Sequence, residues 1–424
     1  MAFHCFDFRV DAKERFLLVE TFLKKWQLLW QPSAFGSYPE PLKNVPESWA
    51  QYLKTASEED LFQLSNYKCT GKGLPKGLPS DLKKLVEEIR DLIDFPFYHH
   101  DQQLLESDPI YEQQINRLNL KKSHELRNLG PLLKDLSDDL QAESLVEVGG
   151  GKGFLSLAAS SCRANHIIID MQEELLQKCR GYFERWNRNK SLTTIVKTID
   201  RSDFQVDCQI PSKSVLAGLH LCGNLSVFFL DSIVKNRNLG VLSLGCCYHR
   251  LEECDQNLSG LCQLHLGASE YRLALAPYHY KCVETYRNNV IKNIYRFALF
   301  CLYHQVNGKL PVMKNLNDYE YPHRANTLEF EAFLHLNHEQ FKLPISVAEA
   351  MKMYQGGIEE LAIKMERFEF VRRIFSRVVE VYLILDRVLY LEKNHFDATI
   401  VQHFDGRISP RNLGVIGKRS TTQV

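Results

Sequence analysis

Leu-Val-Glu-Val-Gly-Gly-Gly-Lys-Gly-Phe-Leu-Ser, residues 145–156, decides the fold class of this 424-residue chain. An apolar run carrying an acid leads into Gly149, Gly151 and Gly153, then into an apolar helix start. That order describes a strand turning tightly around a ligand. Glycine reaches positive φ without strain and lets the backbone approach where a Cβ would collide. One short helix further on, His166 to Asp170 reads His-Ile-Ile-Ile-Asp, a second buried strand ending in a carboxylate. Together these make a nucleoside-binding αβ unit, with Asp170 placed to accept hydrogen bonds from a ribose.

Outward from this unit, apolar runs alternate with longer amphipathic stretches. Candidate strands are 144–148, 166–170, 193–199, 214–221 and 240–246, and such alternation predicts a parallel sheet covered by helices. Upstream the chain reads as helical: Phe16, Leu17, Val19, Phe22, Leu23, Trp26 and Trp30 recur at the spacing of one buried helix face. The Gly- and Pro-rich segment 71–79 breaks that region, and a helix opens near Ser80. Helices dominate again from Tyr286 to about 395, interrupted by the polar segment 306–326. Two apolar runs, Ala398–Phe404 and Leu413–Ile416, then predict a hairpin with Asp405-Gly406 in its connection.

Composition narrows the function classes. The 52 basic residues balance the 52 acidic ones, so a nucleic-acid partner needs a local basic patch. No stretch approaches the length and apolarity of a membrane span: 378–391 is short and carries Glu380, Asp386 and Arg387. The chain starts without the basic-then-apolar pattern of a secretory signal, and its 12 cysteines are scattered. A cytoplasmic or nuclear location is therefore expected.

The glycine loop does not fit a dinucleotide fingerprint, which needs a glycine at its sixth position. Counting from Gly149 that position is Phe154, and counting from Gly151 it is Ser156, which disfavours a nicotinamide oxidoreductase. The acid-apolar-Gly-x-Gly-x-Gly pattern instead resembles the first motif of class I S-adenosylmethionine-dependent methyltransferases. The resemblance implies that Gly149, Gly151 and Gly153 lie under the methionine end of that cofactor and that Glu147 helps hold its ammonium group. It also implies an acid after the third strand for the adenine amino group. Asp203, with Phe204 against the ring, is preferred there to Asp200.

The fourth strand leads into His220-Leu221-Cys222-Gly223-Asn224, and the fifth into Gly245-Cys246-Cys247-Tyr248-His249. Both end at the carboxyl edge of the sheet, where open α/β sheets bind ligands. His220, Cys222, Asn224, Tyr248 and His249 are thus the candidate reacting centre. Cys222, Cys246, Cys247 and His249 are metal-ligand types, but no Cys-x-x-Cys pair is present and adjacent strand residues face opposite ways. No metal is therefore assigned. Lys121, Lys122 and His124 are candidates for contact with a phosphate or with the cofactor carboxylate; a solvated charge run is the competing reading.

These segments, with Lys121 to Glu125 and Ser409 to Asn412, resemble the methyltransferase-like protein 25 family, whose members include proteins named for a ribosomal RNA adenine dimethylase domain. Similar His-x-Cys-Gly and Cys-Cys-His elements occur in a family of tRNA 2′-O-methyltransferases. The resemblance implies a class I methyltransferase (Rossmann-like) α/β fold with a seven-stranded sheet, an all-α N-terminal domain and a helical insertion before the C-terminal hairpin. The expected segments are 1–118 helical, 119–305 cofactor-binding core, 306–395 helical insertion and 396–424 hairpin. The cofactor implied is S-adenosylmethionine and the acceptor RNA, either tRNA or rRNA, reached through local basic patches. Adenine dimethylation is not expected, because His220 to Asn224 stand where adenine N6 methyltransferases carry Asn/Asp-Pro-Pro-aromatic. The alternatives are a non-catalytic cofactor-binding scaffold or regulatory protein, and a protein methyltransferase.

Overall fold

A computed structural model of the chain describes residues 11–97, 115, 117–186, 191–200, 204–252, 255, 257–309, 329–339 and 341–420. Among these, seven strands form one sheet: β1 (Ser144–Val148), β2 (Asn165–Asp170), β3 (Leu192–Val196), β4 (Ser214–Cys222), β5 (Gly240–Cys246), β6 (Phe396–Gln402) and β7 (Leu413–Arg419). Their order is β3-β2-β1-β4-β5-β7-β6. The first five pair in parallel, while β7 runs antiparallel to both β5 and β6. This is the Rossmann-like methyltransferase architecture that the glycine loop implied.

The chain moves outward from β1 through β2 to β3, then returns to the other side of β1 for β4 and β5. The order therefore reverses between β1 and β4, and a crevice opens at the carboxyl ends of that pair. Both strands are apolar because both sheet faces are covered. Leu145, Val215, Ala217, Leu242 and Leu244 pack with Leu126, Leu129, Leu132, Leu133 and Leu136 of the helix Leu120–Asp139. On the other side, Ile168 packs with Leu176, Cys179 and Phe183.

Several of the expected elements differ in extent, most by one to three residues at an end. β3 ends at Val196 rather than 199, one ladder bond short of Lys197, whose N–H still donates to the Asp170 carbonyl at 3.1 Å. Asp405-Gly406 lies in the β6–β7 connection as expected, but that connection runs from His403 to Asn412 instead of closing in two residues.

The chain divides into two compact units, one of Met1–Lys25, Asp91–Leu275 and Arg377–Val424, the other of Trp26–Arg90 and Ala276–Ser376. This division cuts across the linear segments expected from the sequence. The helix Ala12–Lys25 goes with the sheet, because Phe16 stacks on Tyr382 at 5.0 Å and the Tyr382 hydroxyl donates to Glu20 at 2.6 Å. Phe16, Val19, Phe22 and Leu23 are buried, but Leu17 is 52% exposed and does not belong to that face. The helix Ser376–Lys393 also joins the sheet unit. It is buried from Ser376 to Leu389, so its charges there are matched: Glu380 accepts from Arg377 at 2.6 Å and from Arg411 at 3.2 Å. Arg411 thus makes a structural ion pair.

The second unit is helical. Trp30 and Trp49 are fully buried in it, and Asn66 donates to the Tyr280 carbonyl and accepts from the Tyr280 N–H at 3.0 and 2.8 Å. No described helix is long and apolar enough to cross a membrane.

Candidate active site at the carboxyl edge of the sheet

The glycine loop follows β1 with every other residue left-handed. Gly149, Gly151 and Gly153 have φ of +66°, +54° and +70°, and the loop is pinned by N–H bonds from Gly149 and Gly150 to the Ile169 carbonyl. Asp170 braces the same loop: one carboxylate oxygen accepts from the Gly151 N–H at 2.9 Å, the other from the Gln172 N–H at 2.9 Å. The next residue, Met171, is 64% exposed. An exposed thioether beside the Asp170 carboxylate offers a face for an aromatic ring. Met171 escaped the sequence reading because one apolar residue after a buried run looks like the end of that run.

Glu147 is buried, and its carboxylate accepts from the Ser156 N–H at 2.8 Å, across the turn. Burial pushes its carboxyl up, and the Ser156 bonds and the Lys122 charge offset only part of that. The Lys122 charge thus acts favourably on the Glu147 carboxylate. His124 is engaged elsewhere. Its Nε2 accepts the Asp405 N–H at 3.1 Å, and burial keeps its imidazole below the ordinary range against the pull of Asp405 and Glu125. His124 thus ties the N-terminal turn of its helix to the β6–β7 connection.

The residue beside it was missed. Glu125, 1% exposed, accepts from His220 Nε2 at 3.0 Å and from the Ser409 hydroxyl at 2.8 Å, with the Lys121 ammonium at 3.6 Å. Burial alone raises a carboxyl, but here the bond and charge of His220, with Ser409 and Lys121, outweigh it and hold Glu125 below the usual range. An ionised Glu125 can only accept, so Nε2 of His220 carries its proton. Nδ1 of His220 is then the basic nitrogen, and it has no protein partner among the described residues. A bulge in the β4–β5 ladder between Leu219 and Leu221, with His220 at φ +63°, turns the imidazole to this position.

The remaining candidates separate into two groups. Cys222, Cys246 and Cys247 converge, with sulfurs 3.4–3.5 Å apart. Adjacent cysteines were expected to face opposite ways. Cys247 instead adopts φ +55° as β5 ends, which swings its sulfur to the side of Cys246. Burial, with the neighbouring sulfurs, pushes the Cys222 and Cys246 thiols up, so neither is an activated nucleophile by itself.

Tyr248, Asn224 and His249 are placed otherwise. Tyr248 is buried with its hydroxyl 3.5 Å from Glu380, its pKa raised by burial and by that charge. Asn224 accepts the Glu252 N–H at 2.9 Å and so fixes the two strand-end turns together. His249 is exposed, its imidazole held low by desolvation and by Arg250 and Arg272. Asp203 lies outside the described residues, and of Phe204 only the backbone is described, opening the short helix Phe204–Asp207.

Residues 121–254 match the family model described as a methyltransferase domain. The matched span holds Glu125, the glycine loop, Asp170, His220 and the three converging cysteines. The crystal structure of SAH-bound Podospora anserina methyltransferase PaMTH1 aligns with 82% of this chain and 98% of its own, at 11% identity and a TM-score of 0.31.

Proposed function

We propose that this chain is an S-adenosylmethionine-dependent methyltransferase that methylates a proton-bearing oxygen or nitrogen of an RNA, with His220 as general base and Glu125 as its positioning partner. One observation carries the reading: Glu125, from the helix Leu120–Asp139, bonds His220 near the end of β4, the strand across the switch point from the β1 that leads into the glycine loop.

The loop fits the cofactor. A Cβ at Gly149 would meet Leu225 at 3.8 Å and one at Gly151 would meet Leu175 at 3.5 Å, ordinary contacts, so what both positions require of glycine is the left-handed backbone. Gly149 and Gly151 would lie under the methionine end, with the Lys122 charge toward its carboxylate. Asp170 would take the ribose hydroxyls with its remaining lone pairs, and Met171 would cover one face of the adenine. Asp203 and Phe204 are assigned to the adenine edge on the resemblance. When bound, S-adenosylmethionine supplies an electrophilic methyl group on a sulfonium.

The chain's own residues then align the acceptor and take its proton. Glu125 holds the imidazole so that Nδ1 faces outward, and a neutral imidazole accepts a proton as the acceptor gives it up. The exposed Lys121 and Arg250 supply local positive charge for a phosphate backbone. RNA rests on the resemblance of the His-x-Cys-Gly and Cys-Cys-His elements to tRNA 2′-O-methyltransferases.

The test is transfer of labelled methyl from S-adenosylmethionine into fractionated tRNA, rRNA and protein. Label in RNA that is lost in His220→Ala is the expected result. Label in protein alone overturns the acceptor. Absence of calorimetric binding at millimolar cofactor overturns the whole reading.

A further inference from the structure

The sulfur cluster at the ends of β4 and β5 has no part in that proton transfer. The sulfurs of Cys222, Cys246 and Cys247 form a triangle with sides of 3.4, 3.5 and 3.5 Å. Packing alone does not require this. A regular strand sends consecutive side chains to opposite faces, and apolar burial is satisfied by either face.

The convergence depends on two left-handed residues that are not glycine, His220 before Cys222 and Cys247 itself. Each such conformation costs on the order of 1–3 kcal/mol, and such strain collects at functional sites. Here both lie at one sheet edge, on paired strands.

We propose that Cys222, Cys246 and Cys247 form a tri-thiolate site for a thiophilic divalent cation, zinc being the expected occupant, with a fourth position left for a ligand from outside the triad. The geometry is close to that needed. In a tetrahedral site with Zn–S bonds of about 2.3 Å, neighbouring sulfurs stand about 3.8 Å apart, so the triangle has to open by only about 0.3 Å. The donor set excludes magnesium and calcium, which take oxygen ligands.

Charge is accounted for as well. Three thiolates around a divalent cation leave one net negative charge, and the Arg250 guanidinium acts favourably on the Cys222 thiolate. A cation that binds thiolate displaces the thiol proton, so binding is expected to tighten as pH rises. Among the described residues these are the three grouped ligand atoms at this edge. The inference does not depend on the acceptor or on turnover.

The full chain, purified without chelator, is expected to carry about one zinc by elemental mass spectrometry. Cobalt added to the metal-free protein is expected to give thiolate-to-cobalt absorption. Cys222→Ser and Cys247→Ser are each expected to weaken cobalt binding at least about tenfold.

Differential alkylation of the unsubstituted chain keeps the test independent of how the variants fold. Zinc is expected to protect the peptides carrying Cys222, Cys246 and Cys247, while the exposed Cys282 stays reactive. Equal labelling of the three cysteines with and without zinc, or protection confined to other cysteines, overturns the proposal.

Discussion

The Nε2 atom of His220 stands 3.0 Å from Oε1 of Glu125, a residue 95 positions earlier in the chain. The carboxylate is buried and ionised, the imidazole is 28% exposed, and the bond between them fixes the tautomer. A base oriented by a third group is the recurring arrangement of acid–base and nucleophilic sites.

Replacing the carboxylate by an amide of the same shape removes the charge but little of the packing. Glu125→Gln is therefore expected to lower kcat by about 10- to 100-fold, and His220→Ala by about 100-fold or more. Both are expected to leave the dissociation constant for the cofactor within about twofold, because neither residue belongs to the glycine loop. Steady-state kinetics with calorimetry separates the two quantities. A matching loss in cofactor affinity contradicts the assigned roles.

Glycines of one loop are expected to fail in different ways. At Gly151 an added Cβ meets only ordinary contacts but enters a left-handed conformation, at a position proposed to lie under the cofactor. Gly151→Ala should weaken cofactor binding by about tenfold or more, with about 1–2 kcal/mol lost in stability. At Gly153 the Cβ would come within 2.5 Å of the Cys179 sulfur and 2.7 Å of Ile168. Gly153→Ala should instead lower folding stability by about 2–4 kcal/mol, from overpacking added to strain. Denaturant midpoints and calorimetry on the pair distinguish these outcomes.

The buried charges under Tyr248 set a stability prediction. Glu380 is 1% exposed at its side chain and shared between Arg377 and Arg411. Burial raises its carboxyl, but the two guanidiniums outweigh that and hold it below the ordinary range. Glu380→Gln leaves two guanidiniums without their counter-charge, and the expected loss is about 3–5 kcal/mol in chemical denaturation. A double replacement of Glu380 and Arg377 by apolar residues should recover part of it.

His403 sets the acid limit of the sheet unit. It is buried, neither ring nitrogen has a hydrogen-bond partner among the described residues, and burial holds its imidazole down at about 3 against an ordinary 6.5. The unfolded chain therefore takes up a proton below pH 6.5 that the folded chain refuses. Stability that is fully present above the unfolded pKa is lost as pH falls toward 3, by about 2 kcal/mol between pH 6.5 and 5. His403→Leu should flatten the melting temperature over that interval. An unchanged slope counts against this account.

The parallel strands were legible because each is an apolar run bounded by turn residues, and a doubly covered sheet has no need of alternation. The loop was legible because glycine at 149, 151 and 153 answers to three positive φ angles. Glu125 was not. On the helix Leu120–Asp139 it reads as one more charge in Lys-Lys-Ser-His-Glu, and only the tertiary fold brings it to β4. His124, one residue earlier, drew the functional reading because histidine is chemically conspicuous, yet its ring is committed to Asp405. The three cysteines were placed at one sheet edge, but the convergence of Cys246 and Cys247 was illegible for a different reason. Period-2 reasoning assumes extended backbone, and the left-handed turns at His220 and Cys247 break that assumption where the sequence carries no glycine to announce it. The division into units was hidden too, since segments far apart in the chain share a core.

Ser409 gives the closing consequence, which concerns the order of synthesis. Its hydroxyl is the donor that completes Glu125, and it sits in the connection between β6 and β7. A ribosome delivers Glu125, the glycine loop and His220 long before this connection emerges. Until then β5 has an open edge where β7 will pair, and Glu125 stands one donor short. Sealing the sheet and completing the donors of Glu125 are thus one event, so a nascent chain holds the glycine loop before it holds the finished Glu125–His220–Ser409 cluster.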